Sequence, residues 1–171
     1  MRHLTFGILT AILTTLAGCA NFGAKPVNPG DSRADVLGKL GSPTHVYPDG
    51  KDQLLEYAHG PWGQTTYMAR IGADGRLTSF QQVLTPERFA TIKIGEANKE
   101  SVLRTIGAPS EKMVLRLSRL EVWTYPYKEG GVWDSMMHVH FDDAGIVRKM
   151  ENGPDMRRDP DSWGWFGMLR L

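Results

Sequence analysis

The chain has 171 residues, of which 41% are hydrophobic and 23% are charged, and its formal net charge at pH 7 is +1. A chain of this length can bury one sizeable core or the cores of two small modules in contact. The near-neutral charge excludes a general electrostatic attraction to nucleic acid, so we expect no nucleic-acid partner.

The first 18 residues have the pattern of a bacterial export signal. Arg2 supplies a positive start, residues 4–17 are largely apolar and carry no charge, and small residues lead up to Cys19. This apolar run is shorter than the roughly 20 residues that a membrane-spanning helix needs. We therefore predict that residues 1–18 are a signal peptide that is absent from the mature protein.

The segment Leu16-Ala17-Gly18-Cys19 resembles the lipobox of bacterial lipoproteins, in which cleavage falls before the cysteine and its thiol receives a lipid. The resemblance implies that Cys19 carries fatty acyl chains such as palmitate, and several chains anchor a protein firmly where one holds it only marginally. Ala20 occupies the place where an aspartate would retain a lipoprotein at the inner membrane. The expected location is the outer membrane, facing the periplasm, and the alternative is an ordinary signal peptide with a chance cysteine.

Two segments of the chain share one pattern of apolar residues, glycine and proline. Residues 19–29 precede them and are predicted to be a flexible tether. The matched positions are Gly30, Val36, Leu37, Leu40, Gly41 and Pro43 in the first segment and Gly95, Val102, Leu103, Ile106, Gly107 and Pro109 in the second. The repeat predicts two units, residues 30–84 and 85–152.

Each unit is predicted to begin with a short helix followed by strands. Ser32 with Asp35, and Asn98 with Ser101, can cap the helix starts, and a glycine can end each helix. The second unit gains a further short helix after Thr85. Alternation of apolar residues then predicts strands at residues 54–59, 65–71 and 77–84 in the first unit and at 121–127, 135–141 and 146–151 in the second.

The second unit carries features of a known family. They are Phe89, Ile92, Gly95, Val102, Ile106, Gly107, Pro109, Trp123, Tyr125, Val139, Phe141, Asp143, Gly145 and Val147. This pattern resembles the BamE (SmpA/OmlA) domain, an outer-membrane lipoprotein subunit of the β-barrel assembly machine. The first unit matches less fully, with Leu55 and Tyr57 in place of the aromatic pair. The resemblance implies an α+β fold in which each unit packs one or two short helices on one face of a three-stranded antiparallel sheet.

The tandem form suggests two hypotheses for function. The first is a non-enzymatic outer-membrane lipoprotein that binds envelope proteins as an assembly or scaffold factor, with the β-barrel assembly machine as one candidate partner. In it the two sheets lie side by side and join edge to edge, which would cover exposed strand edges. The second is an inhibitor of a periplasmic or exogenous hydrolase, because paired units also resemble the tandem-repeat β-lactamase inhibitor protein.

The candidate partner surface consists of aromatic and histidine side chains. Trp123 and Tyr125 are predicted to be core residues, whereas Tyr127, next to a glycine-rich loop, is predicted to be exposed, as is Trp133. His138 and His140 share one strand face and are predicted to form a polar surface open to solvent or a partner. A metal-dependent enzyme built on these two histidines is a further alternative, although zinc sites need three or four ligands.

The C-terminal segment, residues 153–171, is polar at first and then rich in aromatic and apolar residues. Trp163 and Trp165 are its candidate contact residues, and the segment is predicted to fold back on the protein, to bind a partner or to lie at a membrane interface. The sequence contains no nucleophile elbow, zinc-protease motif or phosphate loop. We therefore expect no enzymatic activity, no cofactor and no bound metal.

Overall fold

A computed structural model describes residues 26–59 and 64–158. The predicted signal peptide, Cys19 and the aromatic end of the chain with Trp163 and Trp165 lie outside the described residues. Within the described ranges, no helix has the length and apolar character needed to cross a membrane.

The described chain forms two units, each with an antiparallel four-stranded sheet. The first unit comprises α1 (Arg33–Leu40), β1 (His45–Asp49), β2 (Asp52–His59), β3 (Thr65–Ile71) and β4 (Leu77–Gln82). The second comprises α2 (Pro86–Phe89), α3 (Lys99–Ile106), β5 (Glu111–Leu115), β6 (Leu120–Glu129), β7 (Trp133–Phe141) and β8 (Val147–Pro154). Strands β1 to β4 form sheet 1 and strands β5 to β8 form sheet 2, and in both sheets neighbouring strands follow one another in chain order. This is the α+β fold that the sequence predicts.

The structure corrects the number of strands in each sheet. β1 and β5 add a fourth strand at one edge of each sheet, where three strands were expected. Neither strand has a fully buried residue: β5 is exposed throughout, and β1 alternates only between exposed and half-buried residues. The expected edge-to-edge joining of the sheets is also wrong, since sheet 1 and sheet 2 are not hydrogen-bonded to each other.

The predicted helix caps are present in both units. Ser32 and Asp35 form a capping box at the start of α1, and Asn98 and Ser101 form the corresponding box at the start of α3. Gly41 and Gly107 end the two helices with φ angles of +82° and +83°. These local signals explain why the two helices begin and end where the sequence predicts.

The two units agree in details beyond their element order. The amide of Gly30 donates to Leu77 O at 2.7 Å, and the amide of Gly95 donates to Val147 O at the same distance. Each sheet also has a register irregularity, at residues 70–71 in sheet 1 and at 140–141 in sheet 2. This correspondence is consistent with the tandem duplication that the sequence suggests.

Helix α3 lies between the two sheets. Its buried Val102 and Ile106 join the apolar core of sheet 2, whereas Arg104 and Thr105 border a cavity of about 40 Å³ shared with the back of sheet 1. That back face, turned away from α1, carries a second apolar cluster of Leu54, Met68 and Val83. The fold is therefore layered as α1, sheet 1, the α2 and α3 layer, and sheet 2.

A buried carboxylate joins the first unit to the end of α3. Glu56 on β2 is 1% exposed and accepts a hydrogen bond from the Tyr47 hydroxyl at 2.5 Å and from the Ala108 amide at 3.0 Å. A Cβ on Gly107 would lie 2.9 Å from Glu56 Oε2. The two units therefore meet at a close, polar contact that only a glycine at position 107 accommodates.

Candidate protein-binding surface

The helix-covered face of sheet 2 is a closed aromatic core. Trp123 and Tyr125 are buried in it, as predicted. Tyr127 is also only 1% exposed, because α2 places the Phe89 ring edge-on against it with the ring centroids 4.9 Å apart. The Tyr127 hydroxyl donates to Asn152 Oδ1 at 3.0 Å. The prediction that Tyr127 is exposed is therefore wrong, and Tyr127 belongs to the core.

The opposite face of sheet 2, here called the outer face, carries the two histidines. His138 is half-buried, with Nδ1 3.0 Å from Thr124 Oγ1. His140 is 6% exposed, and its Nε2 lies 3.0 Å from Glu151 Oε2. The expected open exposure of this pair is thus corrected to partial and nearly complete burial. No group of three metal-ligating side chains comes together within residues 26–59 and 64–158.

The burial of His140 makes stability depend on pH. Burial lowers the pKa of His140 below its ordinary value of 6.5, and the Glu151 carboxylate only partly opposes this shift. Neutral His140 therefore contributes its full stabilisation at pH values above the pKa that this imidazole has in the unfolded protein. The contribution is lost as the pH falls through the lower pKa that it has in the folded protein.

We expect a His140→Gln variant to lose less unfolding free energy than the wild type on going from about pH 7.5 to about pH 5. Urea unfolding at both pH values measures this difference. His59→Gln, on an exposed side chain of the first unit, is the control and should keep the wild-type pH dependence. Equal pH dependence in the wild type and His140→Gln would contradict the assignment.

Four of the large apolar side chains that are exposed in the described residues lie in β5 and in the turn between β5 and β6. We call this surface the apolar hairpin. It consists of Met113, Val114, Leu115 and Leu117, whose exposed fractions run from 37% to 105%. Four large apolar side chains left in water within five residues are typical of an interaction site rather than of a folded core.

Three cations accompany the apolar hairpin. Lys112 Nζ lies 4.6 Å above the Trp123 ring, and Arg119 forms an ion pair with Asp143. Arg116 borders, together with Val114 and Arg119, a cleft of about 360 Å³ beside the hairpin, and the carboxylates of Glu121, Asp142 and Asp143 also line this cleft. A partner that covers the hairpin therefore meets apolar side chains with charges of both signs around them.

The hairpin turn also holds an unusual backbone conformation. Among the described residues, Arg119 is the non-glycine residue with a positive φ, of 54°. Such conformations are energetically unfavourable for a residue with a side chain and cluster at functional sites. Arg119 is the last residue of the turn that joins β5 to β6 and carries Leu117.

Trp133, predicted to be at a partner surface, is 73% exposed. It lies beside the exposed Val132 at the turn between β6 and β7. Because the apolar hairpin precedes β6 and this turn follows it, the length of β6 separates them by about 30 Å. Trp133 is therefore a second, separate exposed site and not part of the apolar hairpin.

The apolar hairpin was not predicted because β5 was not recognised from the sequence. A usable signal is the run of apolar residues flanked by basic ones from Lys112 to Arg119, which is unusual for a solvent-exposed turn. Of the predicted contact residues that lie within residues 26–59 and 64–158, only Trp133 is widely exposed; Tyr127 is in the core, and the histidines lie on the outer face.

Comparison with known proteins identifies the second unit. Residues 82–151 match the family model described as "Outer membrane protein assembly factor BamE domain". No curated protein matches the chain. A DUF4309 family protein, YjgB, from Bacillus subtilis is 15% identical, with 73% of this chain and 79% of that chain covered and a TM-score of 0.31, a likeness that carries no argument. The matched segment contains the apolar hairpin, and the second unit is thus similar to a BamE domain.

Proposed function

We propose that the protein is a non-enzymatic, lipid-anchored factor of the outer membrane that binds envelope proteins through the apolar hairpin. One observation carries the proposal: a group of four exposed apolar side chains of the described chain lies inside the segment that matches an outer membrane protein assembly factor domain. Components of the machinery that assembles outer-membrane proteins are the proposed partners.

The shape and charge of the surface support a protein partner. Burying an exposed leucine or valine contributes about 1.5–3 kcal/mol, so Val114 and Leu117 can act as anchor residues of an interface. The charges of both signs beside the hairpin can fix the orientation of a partner that bears complementary charges. Apolar anchors surrounded by charged side chains are the usual composition of a binding site between proteins.

The proposed anchor is the lipid on Cys19. In this proposal, residues 19–25 and the following segment connect the outer membrane to a domain that faces the periplasm. Val27, within the predicted tether, packs against the core of the first unit. The first unit is thus the part of the folded protein nearest the lipid, and α3 ties the apolar hairpin's sheet to it.

Photocrosslinking in intact cells tests this function. A benzophenone amino acid in place of Leu117 should crosslink to one or a few outer-membrane assembly proteins, identified by mass spectrometry. The same amino acid in place of Lys51, at the exposed turn between β1 and β2, is the matched control because it occupies the equivalent turn of the first unit. We expect the Lys51 position to give no discrete crosslinked species.

A Cys19→Ala variant extends the same experiment to the anchor. It removes the proposed site of lipid attachment, so it should lose palmitate labelling, which the wild type should show. If position 117 gives the same crosslinks as position 51, the apolar hairpin does not bind an envelope protein. If the wild type takes up no palmitate, or if Cys19→Ala is labelled equally, the lipid anchor is wrong.

A further inference from the structure

The outer face of sheet 2 is buried at its centre. Val122 and Thr124 on β6 are each 5% exposed, and the neighbouring His140 on β7 is 6% exposed. Helices α2 and α3 lie on the opposite face of this sheet, and α1 packs on sheet 1, so no helix of the described chain covers these side chains. The second face of an antiparallel sheet is commonly open to water. The burial of this face therefore indicates a covering segment.

The corresponding face of sheet 1 is covered by the chain that follows its last strand. There Leu54 and Met68 are 2% and 5% exposed, and Arg88 of α2 and Arg104 of α3 border the cavity beside them. Both helices come after β4 in the chain. Because the two units share one pattern of elements, the chain that follows β8 is placed to cover sheet 2 in the same way.

The chain after sheet 2 repeats the start of α2. Residues 85–87 are Thr-Pro-Glu, and Phe89 follows two residues later. Residues 159–161 are Asp-Pro-Asp, and Trp163 follows two residues later. Threonine and aspartate are both preferred helix caps, and proline favours the first helical position. The segment after β8 thus has the sequence signal with which the covering layer of sheet 1 begins.

The described chain ends beside the outer face. The amide of Asp155 donates to Asp134 O at 2.8 Å, and Arg158 Nη1 lies 3.6 Å from Asp134 Oδ1. Asp134 is on the same face of β7 as His140, since strand residues an even number apart point to one side. Residues 159–171 reach about 20 Å even as a helix, whereas four strands span about 14 Å. The remaining segment is therefore long enough to cross the face.

We propose that residues 159–171 dock on the outer face of sheet 2, over β6, β7 and β8. This segment contains six large apolar side chains: Trp163, Trp165, Phe166, Met168, Leu169 and Leu171. Such a group is costly to leave in water. Met113 and Leu115 of β5 share the outer face and remain 50% and 37% exposed, so the docked segment leaves the apolar hairpin free. The docking requires no partner protein and stands apart from the function proposed above.

One polar group of the face fits a tryptophan. His140 Nδ1 is buried and has no hydrogen-bond partner within the described chain. A neutral imidazole offers one acceptor nitrogen, and the indole N–H of tryptophan is a donor. An indole of the docked segment can therefore satisfy a nitrogen that would otherwise be costly to bury.

Photocrosslinking in intact cells tests the docking. A benzophenone amino acid replaces Trp165, and peptide mapping by mass spectrometry locates the crosslink in the purified protein. We expect crosslinks within one chain to β6 or β7. The same amino acid in place of Lys51, at the exposed turn between β1 and β2, is the control and should give no crosslink to sheet 2.

The reactivity of His140 toward diethyl pyrocarbonate in isolated membranes is a second test. A chain that ends at Arg158 should be modified at His140 about tenfold faster than the wild type or more, because the cover is gone. The exposed His59 should react equally in both proteins.

Two variants of full length keep this test independent of the deletion. Replacing both Trp163 and Trp165 with alanine should raise the reactivity of His140 in the same direction. Trp133→Ala changes a tryptophan that is 73% exposed at the turn between β6 and β7, and it should leave the reactivity of His140 as in the wild type.

Unchanged reactivity of His140 in both the shortened chain and the double alanine variant would overturn the docking. Crosslinks from position 165 that map to other parts of the chain would do the same. Crosslinks that join two copies would assign the segment to a second copy, and crosslinks to lipid or to another protein would assign it to the membrane or to a partner. Each of these results would also contradict docking within one chain.

Discussion

A Gly107→Ala variant is expected to be less stable than the wild type by about 2–5 kcal/mol, the largest effect predicted for a single methyl group in this protein. Two causes combine. The φ of +83° is unfavourable for alanine, and the new Cβ would lie 2.9 Å from Glu56 Oε2 and 3.2 Å from Thr66 Cγ2. Both atoms belong to buried side chains of sheet 1, which have little room to move.

Gly41→Ala is the matched control for this prediction. Gly41 ends α1 with nearly the same φ, +82°, and a Cβ there would have no atom within 4 Å. Its expected cost is therefore the backbone strain alone, about 1–2 kcal/mol. The difference between the two variants, measured by urea unfolding, reports the close approach of the two units. Equal losses from both variants would show that the units do not press together at Gly107.

A Glu56→Ala variant is expected to lose about 3 kcal/mol of stability, because it removes two charge-assisted hydrogen bonds from a buried site. The Tyr47 hydroxyl and the Ala108 amide would both lose their acceptor. Burial and the bond to the Glu56 carboxylate raise the pKa of Tyr47, so the tyrosine stays a neutral donor. Thermal or urea unfolding of the mature protein measures the loss.

Two variants define the origin of this loss. Glu56→Gln keeps an acceptor oxygen in a side chain of the same size and should lose less than Glu56→Ala. Glu121→Ala removes a carboxylate that contacts Lys99 and Trp123 but remains partly exposed, so its expected cost is about 1 kcal/mol or less. If Glu56→Ala costs no more than Glu121→Ala, the buried contact does not hold the units together.

Much of each unit could be predicted from the sequence because its determinants are local. The boxes at Ser32 and Asn98 and the helix-ending glycines act over three or four residues, and the structure confirms them. The predicted strands of both sheets are also present, since their buried residues alternate or cluster. β1 and β5 escaped recognition because an exposed edge strand needs no apolar alternation.

The contacts between distant elements could not be predicted in this way. Tyr127 is covered by Phe89, 38 residues earlier in the chain. The residues next to Tyr127 in the sequence do not predict that contact. Glu56 stands in an ordinary amphipathic strand, yet its partner Ala108 is 52 residues away. The apolar hairpin is visible only when β5 is placed at an edge, because the same residues in a central strand would be core.

The two units pack head to tail. The back of sheet 1 is covered by the helix layer of the second unit, so the interface joins two different surfaces. Such heterologous interfaces do not close on themselves as two-fold interfaces do. Val122 and Thr124 occupy in sheet 2 the places that Leu54 and Glu56 occupy in sheet 1. A further unit of this kind could therefore pack its helices on the outer face of sheet 2. The chain could be lengthened in this way without any change in the two units already present.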